Sequence, residues 1–508
     1  MKKQPALQLG PWRPLDGSEG GPVLRLPPEH LVTHSVIVGM TGSGKSGLVT
    51  VLAEEAMGAG IPILMVDVKG DLPNLLLAFA DFAPEAYLPW LDAEQEGGSD
   101  AVSARAAQLA KERHAALAEH AIGEAELKRF ASKTRVRVLT PGASSGEPLH
   151  VLSPLERRSA RWESDPESAR AALSAAVSLV LRLLGRDPDP AKSKEHVLLS
   201  VLAERRFSAG LDADLKALMQ DVLEPPIEEV GAMPINAFMR KAERTQLAAG
   251  LNTLLASPSF ASWRQGASLD VGEWLKPKDG RTPAVIVSVA HLDDEERGLV
   301  MGLLLEEVLS WVRGLSGTQR LRALILFDEV YGFLPPHPAN PPTKRPLVAL
   351  MKQARGFGVG VVVATQNPMD LDYRALSNAG LWFLGRLQTD ADRARVLDGL
   401  LGSEGTQDLS AAELARTIQR LAQRWFIVRN AHVPAAPILL QPRYAMSWLR
   451  GPMTRHELRR ARDANWAEEP PPASTPKPIV QTPGTSETKP TAGATATIAK
   501  APHRRVEA

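Results

Sequence analysis

The sequence predicts an α/β protein with a mainly parallel central sheet, two helical insertions and a disordered C-terminal tail. Three observations lead there. Short apolar, β-branched runs ending in glycine or polar residues recur along the chain with helical patterns between them, as buried parallel strands do. Two long stretches rich in Ala, Glu, Leu and Arg interrupt the series. The last forty or so residues are rich in Pro, Thr, Ala and Gly and hold few large apolar side chains, too few to form a core.

The first strands are "HSVIVG" (34–39), "IPILMVD" (61–67) and "VRVLT" (136–140). "SGLVTVLAEEAMGAG" lies between the first two, with apolar residues at helical spacing and closing glycines, which completes a strand–helix–strand unit. Residues 1–80 are expected to form an N-terminal segment and the first part of the core, with a helical insertion over 81–134 and a core strand with its connection over 135–158. A second helical insertion is expected over 159–275. Strands resume at "TPAVIVSVAHL" (282–292), "RALILFDEV" (322–330), "VGVVVATQNP" (359–368), "LWFLGRL" (381–387) and "RWFIVRN" (424–430), giving the second part of the core over 276–450. A basic helix over 451–468 and the tail over 469–508 follow.

Composition limits what such a fold can do. The 508 residues are 44% hydrophobic, enough to bury a substantial core. Lys+Arg 59 against Asp+Glu 58 leaves a formal charge of +1, so any nucleic-acid surface must be local. With no cysteine, disulfides and thiolate-bound zinc are excluded, and a cytoplasmic location is expected. The longest apolar stretch, 171–185, contains Arg182 and is too short to span a bilayer, so no membrane insertion is expected.

The stretch from Gly39 to Ser46, "GMTGSGKS", fits G-x-x-x-x-G-K-[S/T] between a strand and a helix. Glycines let successive N–H groups turn inward on an anion, and the next helix adds its unpaired N–H groups and positive dipole end. Gly39, Thr41, Gly42, Ser43, Gly44, Lys45, Ser46 and Gly47 are the candidate phosphate-binding residues. In such a loop Lys45 reaches the β- and γ-phosphates of ATP and Ser46 ligates Mg²⁺.

"ALILFDEV" delivers two acids to the end of a buried strand. Asp328 is expected to ligate Mg²⁺ or stand just behind it, and Glu329 to polarise the attacking water. The next strand ends in Gln366, placed to feel the γ-phosphate. In "MVDVKGDL", Asp67, Lys69 and Asp71 border the same crevice or cap the next helix. Arg355 in "KQARGFG" and Arg386 in "LWFLGRL" compete for the role of an arginine reaching a neighbouring subunit's γ-phosphate. The arginines of "FMRKAERTQ" (238–246), and Arg455, Arg459 and Arg462, could touch DNA or could belong to solvated helices packed on the core.

Together, "HSVIVGMTGSGKS", "MVDVKGDL", "ALILFDEV", "ARGFGVGVVVATQNP" and "LWFLGRL" resemble the HerA/FtsK branch of P-loop ATPases, most closely the HerA-like bacterial ATPases. The resemblance covers roughly residues 22 to 450 without the helical inserts. It implies a RecA-like (ASCE) core, a homo-hexameric ring and ATP-driven movement along double-stranded DNA. It also implies Asp328 as the metal-side acid, Glu329 as the base, Gln366 as the sensor and Arg355 as the finger. HerA docks a nuclease by an N-terminal β-barrel; with some thirty residues before the first strand here, no such barrel is expected, which leaves an effector or nuclease partner unsupported. A soluble secretion or pilus-type ATPase, and an ATP-dependent assembly switch that does not translocate, are the alternatives.

Overall fold

A computed structural model describes residues 4–466, except 160, 373–375, 377–378, 402–410 and 434–435. The chain divides into two units, Met1–Asn465 and Trp466–Ala508. The expected tail, 469–508, lies outside the described residues.

The first unit is built on a sheet of twelve strands. In chain order they are β1 (Trp12–Pro14), β2 (Ser35–Val38), β3 (Ile63–Asp67), β4 (Thr134–Pro141), β5 (Glu147–His150) and β6 (Ala267–Ser268), followed by β7 (Thr282–Ser288), β8 (Ala323–Asp328), β9 (Val359–Thr365), β10 (Leu381–Leu384), β11 (Phe426–Asn430) and β12 (Ile438–Leu440). Their order across the sheet is β6-β5-β4-β7-β3-β8-β9-β2-β10-β11-β12-β1. Every pairing from β6 to β10 is parallel, and β11, β12 and β1 extend the sheet antiparallel.

The central strands read as unbroken apolar runs because both their faces are covered. Alternate residues divide accordingly. Ile37, Ile63, Met65, Leu324, Leu326 and Val362 pack with the buried side of α1 (Lys45–Gly58). Val36, Leu64, Val66, Ile325, Phe327 and Val363 join the other core, with helices of the second insertion and the helix Asp294–Arg313.

The first insertion contains α2 (Ser99–Ala118) and α3 (Glu124–Lys133), which runs straight into β4. The second contains α4 (Pro166–Leu183), α5 (Lys194–Ser208), α6 (Leu215–Leu223) and α7 (Lys241–Ala256). It is not wholly helical. It also holds a small hairpin, Glu229–Val230 with Met233–Pro234, and supplies β6 at the sheet edge. These strands are two residues each, too short to leave a period-2 pattern in the sequence. After β7 comes α8 (Asp294–Arg313), whose first turn is capped by Asp293 accepting from the N–H groups of Glu295 and Glu296. Next are α9 (Lys344–Gln353) and, near the end, α10 (Arg455–Trp466). No helix among the described residues is long and apolar enough to cross a membrane.

Candidate nucleotide site

In the parallel region the carboxyl ends of β3, β8, β9, β2 and β10 share one edge. Asp328 pairs with Asp67 on one side and Ala364 on the other, while Val38 pairs with Thr365 and Leu384. Loops leaving this edge form a crevice, where open parallel sheets bind ligands.

The phosphate loop occupies its centre. Gly42 and Gly44 take φ of 80° and 93°, which only glycine adopts at little cost. The loop is tied to its surroundings by backbone bonds: Gly39 N–H to Thr365 O (3.3 Å), Met40 N–H to Arg386 O (3.0 Å), and Arg424 N–H to Ser43 O (2.9 Å). Lys45 and Ser46 open α1, and Gly47 follows on a side free of neighbours within 4 Å of a built Cβ.

The charged groups form one network. Lys45 Nζ lies 3.0 Å from Asp328 Oδ1 and 3.8 Å from Glu329 Oε2. Lys69 Nζ donates to Glu329 Oε2 at 2.7 Å. The other Glu329 oxygen accepts from the Thr365 hydroxyl (2.9 Å) and the Gln366 N–H (3.2 Å). Gln366 Oε1 accepts from the Thr41 hydroxyl at 2.7 Å, joining the end of β9 to the phosphate loop. Burial pushes the Glu329 carboxyl up, but Lys45, Lys69 and the Thr365 hydroxyl outweigh it and hold the group below its usual value. Its backbone φ of 101° costs about 1–3 kcal/mol for such a residue and persists only where surrounding contacts over-determine it.

The residues fit a magnesium nucleotide. Asp328 Oδ2 and Ser43 Oγ are buried and have no hydrogen-bond partner, an arrangement that is costly unless a ligand or water completes it. Ser46 and Asp328 are the candidate oxygen ligands for the cation, which suits a hard metal that keeps several of its own waters.

Asp67 turns onto its own loop and the helical turn that follows it, Leu72–Leu77: its carboxylate accepts from the Ser288 hydroxyl (2.7 Å) and from the N–H groups of Gly70 (2.9 Å) and Leu72 (3.4 Å). Burial raises its pKa to about 6 against those bonds. A strand-end carboxylate here satisfies two N–H groups of its own loop. Asp67 thus shapes the segment that carries Lys69 and Asp71. Burial also raises the Asp71 carboxyl, with Asp328 adding repulsion.

The two arginines part company. Arg386 follows β10 at the crevice edge, its side chain exposed and its carbonyl bound to Met40 of the same loop. Arg355 lies exposed on the turn Ala354–Phe357 that precedes β9, so it stands at the amino edge, away from its own chain's phosphate loop. Of the basic stretches, Arg244 is buried and donates to Asn236. Arg462 donates to the carbonyls of Ser144 and Gly146, both at 3.0 Å, so α10 packs on the core with Arg455 and Arg459 left exposed.

Sequence reasoning missed Arg424. Its backbone, at φ 64°, crosses Gly44 so closely that a Cβ on that glycine would come within 3.0 Å of Arg424 Cα. Its guanidinium stacks 3.6 Å from the centre of the Tyr444 ring. No local pattern signals it. The pairing of Lys69 with Glu329 was equally invisible, although both residues stood in noted motifs.

Residues 18–123 match the family model described as the central domain of the helicase HerA. No curated protein matches the sequence. Among solved structures, VirB4 of Thermoanaerobacter pseudethanolicus is 14% identical with a TM-score of 0.49, over 87% of this chain and 97% of that one. The plasmid coupling protein TrwB in complex with ADP and Mg²⁺ is 15% identical with a TM-score of 0.44, over 84% and 89%. The genome packaging NTPase B204 from Sulfolobus turreted icosahedral virus 2 is 15% identical with a TM-score of 0.22, over 32% and 68%. Residues 18–123 thus resemble the HerA central domain across the phosphate loop, and the fold sets that loop against paired acids at the edge of a mainly parallel sheet, the arrangement a P-loop ATPase needs.

Proposed function

We propose that the protein is an ATP-hydrolysing ring motor, a homo-hexamer that moves along or remodels double-stranded DNA. The observation that carries the hydrolytic part is the meeting of Lys45, Asp328 and Glu329 within 3.8 Å at one sheet edge. The DNA part rests on kinship with HerA, a helicase.

When ATP enters, Lys45 exchanges the Asp328 oxygen for phosphate oxygens, and the N–H groups of Gly42 to Ser46 cradle the chain of phosphates. Mg²⁺ held by Ser46 and Asp328 would supply positive charge to the β- and γ-phosphate oxygens. Glu329 takes a proton from the attacking water as its oxygen bonds to the γ-phosphorus, while the bond to the bridging oxygen breaks and its electrons leave on ADP. Gln366, tied to Thr41, registers the change. Arg355, at the amino edge, is the arginine offered to a neighbour's γ-phosphate.

Glu329→Gln should keep ATP binding and lose about 10²–10⁴-fold in turnover, the share assigned to a general base. Mixing Lys45→Ala with Arg355→Ala protein should restore turnover in part, because each subunit type supplies what the other lacks. Duplex DNA should stimulate wild-type turnover, and native mass should show a ring with ATP. Rings whose turnover ignores DNA would favour a secretion or pilus-type motor. Turnover by monomers, independent of protein concentration, would favour a switch.

A further inference from the structure

Lys69 takes no part in the proposed reaction, yet at 2.7 Å it makes the shortest polar contact to Glu329. Its loop is fixed on two sides. Asp67 holds the N–H groups of Gly70 and Leu72, and the Gly70 carbonyl accepts from Met453 N–H at 3.1 Å. From this anchor the side chain, one-third exposed, reaches a Glu329 carboxylate that is about nine-tenths covered.

The two lysines in the site differ in what nucleotide does to them. Lys45 lies on the phosphate loop and is drawn to the phosphates, which removes the cation 3.8 Å from Glu329. Lys69 is on another strand's loop and need not move. The Thr365 hydroxyl and the Gln366 N–H bind only Oε1, so Lys69 is the described donor to Oε2 that stays in place once Lys45 has left. A carboxylate on a left-handed backbone, gripped at one oxygen alone, could rotate about that grip.

We propose that Lys69 is a positioning residue for Glu329, holding Oε2 so that the carboxylate keeps its aim when ATP draws Lys45 away. This rests on the ATPase reading and deepens it. Lys69 need not touch the nucleotide; it acts through the base.

The test measures steady-state ATP turnover of the full chain, with Lys69→Met, Lys69→Gln and Lys69→Arg made alone and in the Glu329→Gln background. Misaiming a reacting group by about 1 Å costs on the order of 10²-fold, so Lys69→Met should lower kcat by about ten- to a hundredfold. KM should stay within about threefold, since an interaction acting only on the chemical step leaves ground-state binding alone. Lys69→Arg should restore most of kcat, and Lys69→Met should cost nothing further once Glu329 is Gln. Lys69→Gln carries the same test if the Met variant does not fold. Wild-type kcat in Lys69→Met would overturn the proposal. So would a raised KM with kcat unchanged, which would make Lys69 a phosphate ligand, or a full additional loss in the Glu329→Gln background. If instead Lys45→Ala leaves turnover intact, the ATPase reading itself falls, a separate result.

Discussion

Lys45 and Asp328 form an ion pair at 3.0 Å with side chains only 4% and 1% exposed. The pair occupies the positions from which, in the proposed reaction, one member would grip phosphate and the other a cation. These two charges face each other within the chain, so in the proposed reaction nucleotide exchanges one set of partners for another.

Removing one member should be costly even without ATP. Lys45→Ala leaves Asp328 buried without the cation 3.0 Å away, and breaking a buried pair in this way costs about 3–5 kcal/mol. Denaturant unfolding should show that loss, and Lys45→Ala with Asp328→Asn should recover part of it. Thermal melting of the single variant should no longer respond to ATP and Mg²⁺. A variant as stable as wild type that still melts higher with nucleotide would contradict the pairing.

Gly44 and Gly47 should behave differently when changed to Ala. At Gly44 the φ of 93° and the approach of Arg424 leave no room for a Cβ, so Gly44→Ala should abolish binding of a fluorescent ATP analogue. At Gly47 a Cβ meets nothing within 4 Å, and Ala improves a helix by up to about 1 kcal/mol. Gly47→Ala should bind normally and melt no lower than wild type. Equal effects at the two positions would refute this account of the loop.

His34 should make the fold sensitive to mild acid. Burial above all, with the charge of Arg355 adding to it, lowers its pKa from 6.5 to about 4. Its Nδ1 accepts from Val361 N–H at 3.1 Å, which also suits the neutral ring. The folded pKa is below the unfolded one, so the folded chain binds fewer protons between those values. The contribution is fully present above pH 6.5 and is lost as pH falls toward 4, by about 3 kcal/mol in all. Denaturant midpoints across that range should fall less steeply for His34→Asn, which has no imidazole to take up a proton. An unchanged slope would show that His34 is not the group responsible.

Arg462 and Arg459 separate packing from surface charge on α10. Arg462→Ala removes donors to Ser144 and Gly146, and charge-assisted bonds of this partly exposed kind are worth roughly 1–2 kcal/mol together. Melting should register that loss, while Arg459→Ala, at an exposed position, should melt as wild type. Reversal of the two effects would show that the helix docks by its other face.

Much of the fold was legible because its signals are local. The runs around Val36, Leu64, Ile325 and Val361 announce strands covered on both faces, and each run became a strand of the parallel region. The two-residue strand β6 and the hairpin at Glu229–Pro234 did not announce themselves, since so few residues establish no period. For Asp67 the sequence leaves open whether it borders the crevice or caps the next helix; its bonds to the N–H groups of Gly70 and Leu72 come from how its loop folds.

By itself the sequence determined that a glycine-rich loop would follow a buried strand and open a helix, and that two acids would close another strand. Spacing and hydrophobic period specify these within a few consecutive residues. Only the tertiary structure decided which charges meet. Lys69 and Glu329 are 260 positions apart, Glu54 is sealed beneath Arg443 at 2.8 Å, and Arg424 lies across Gly44. Those pairings follow from the order of strands in the sheet and the packing of distant segments, which residues adjacent along the chain do not encode.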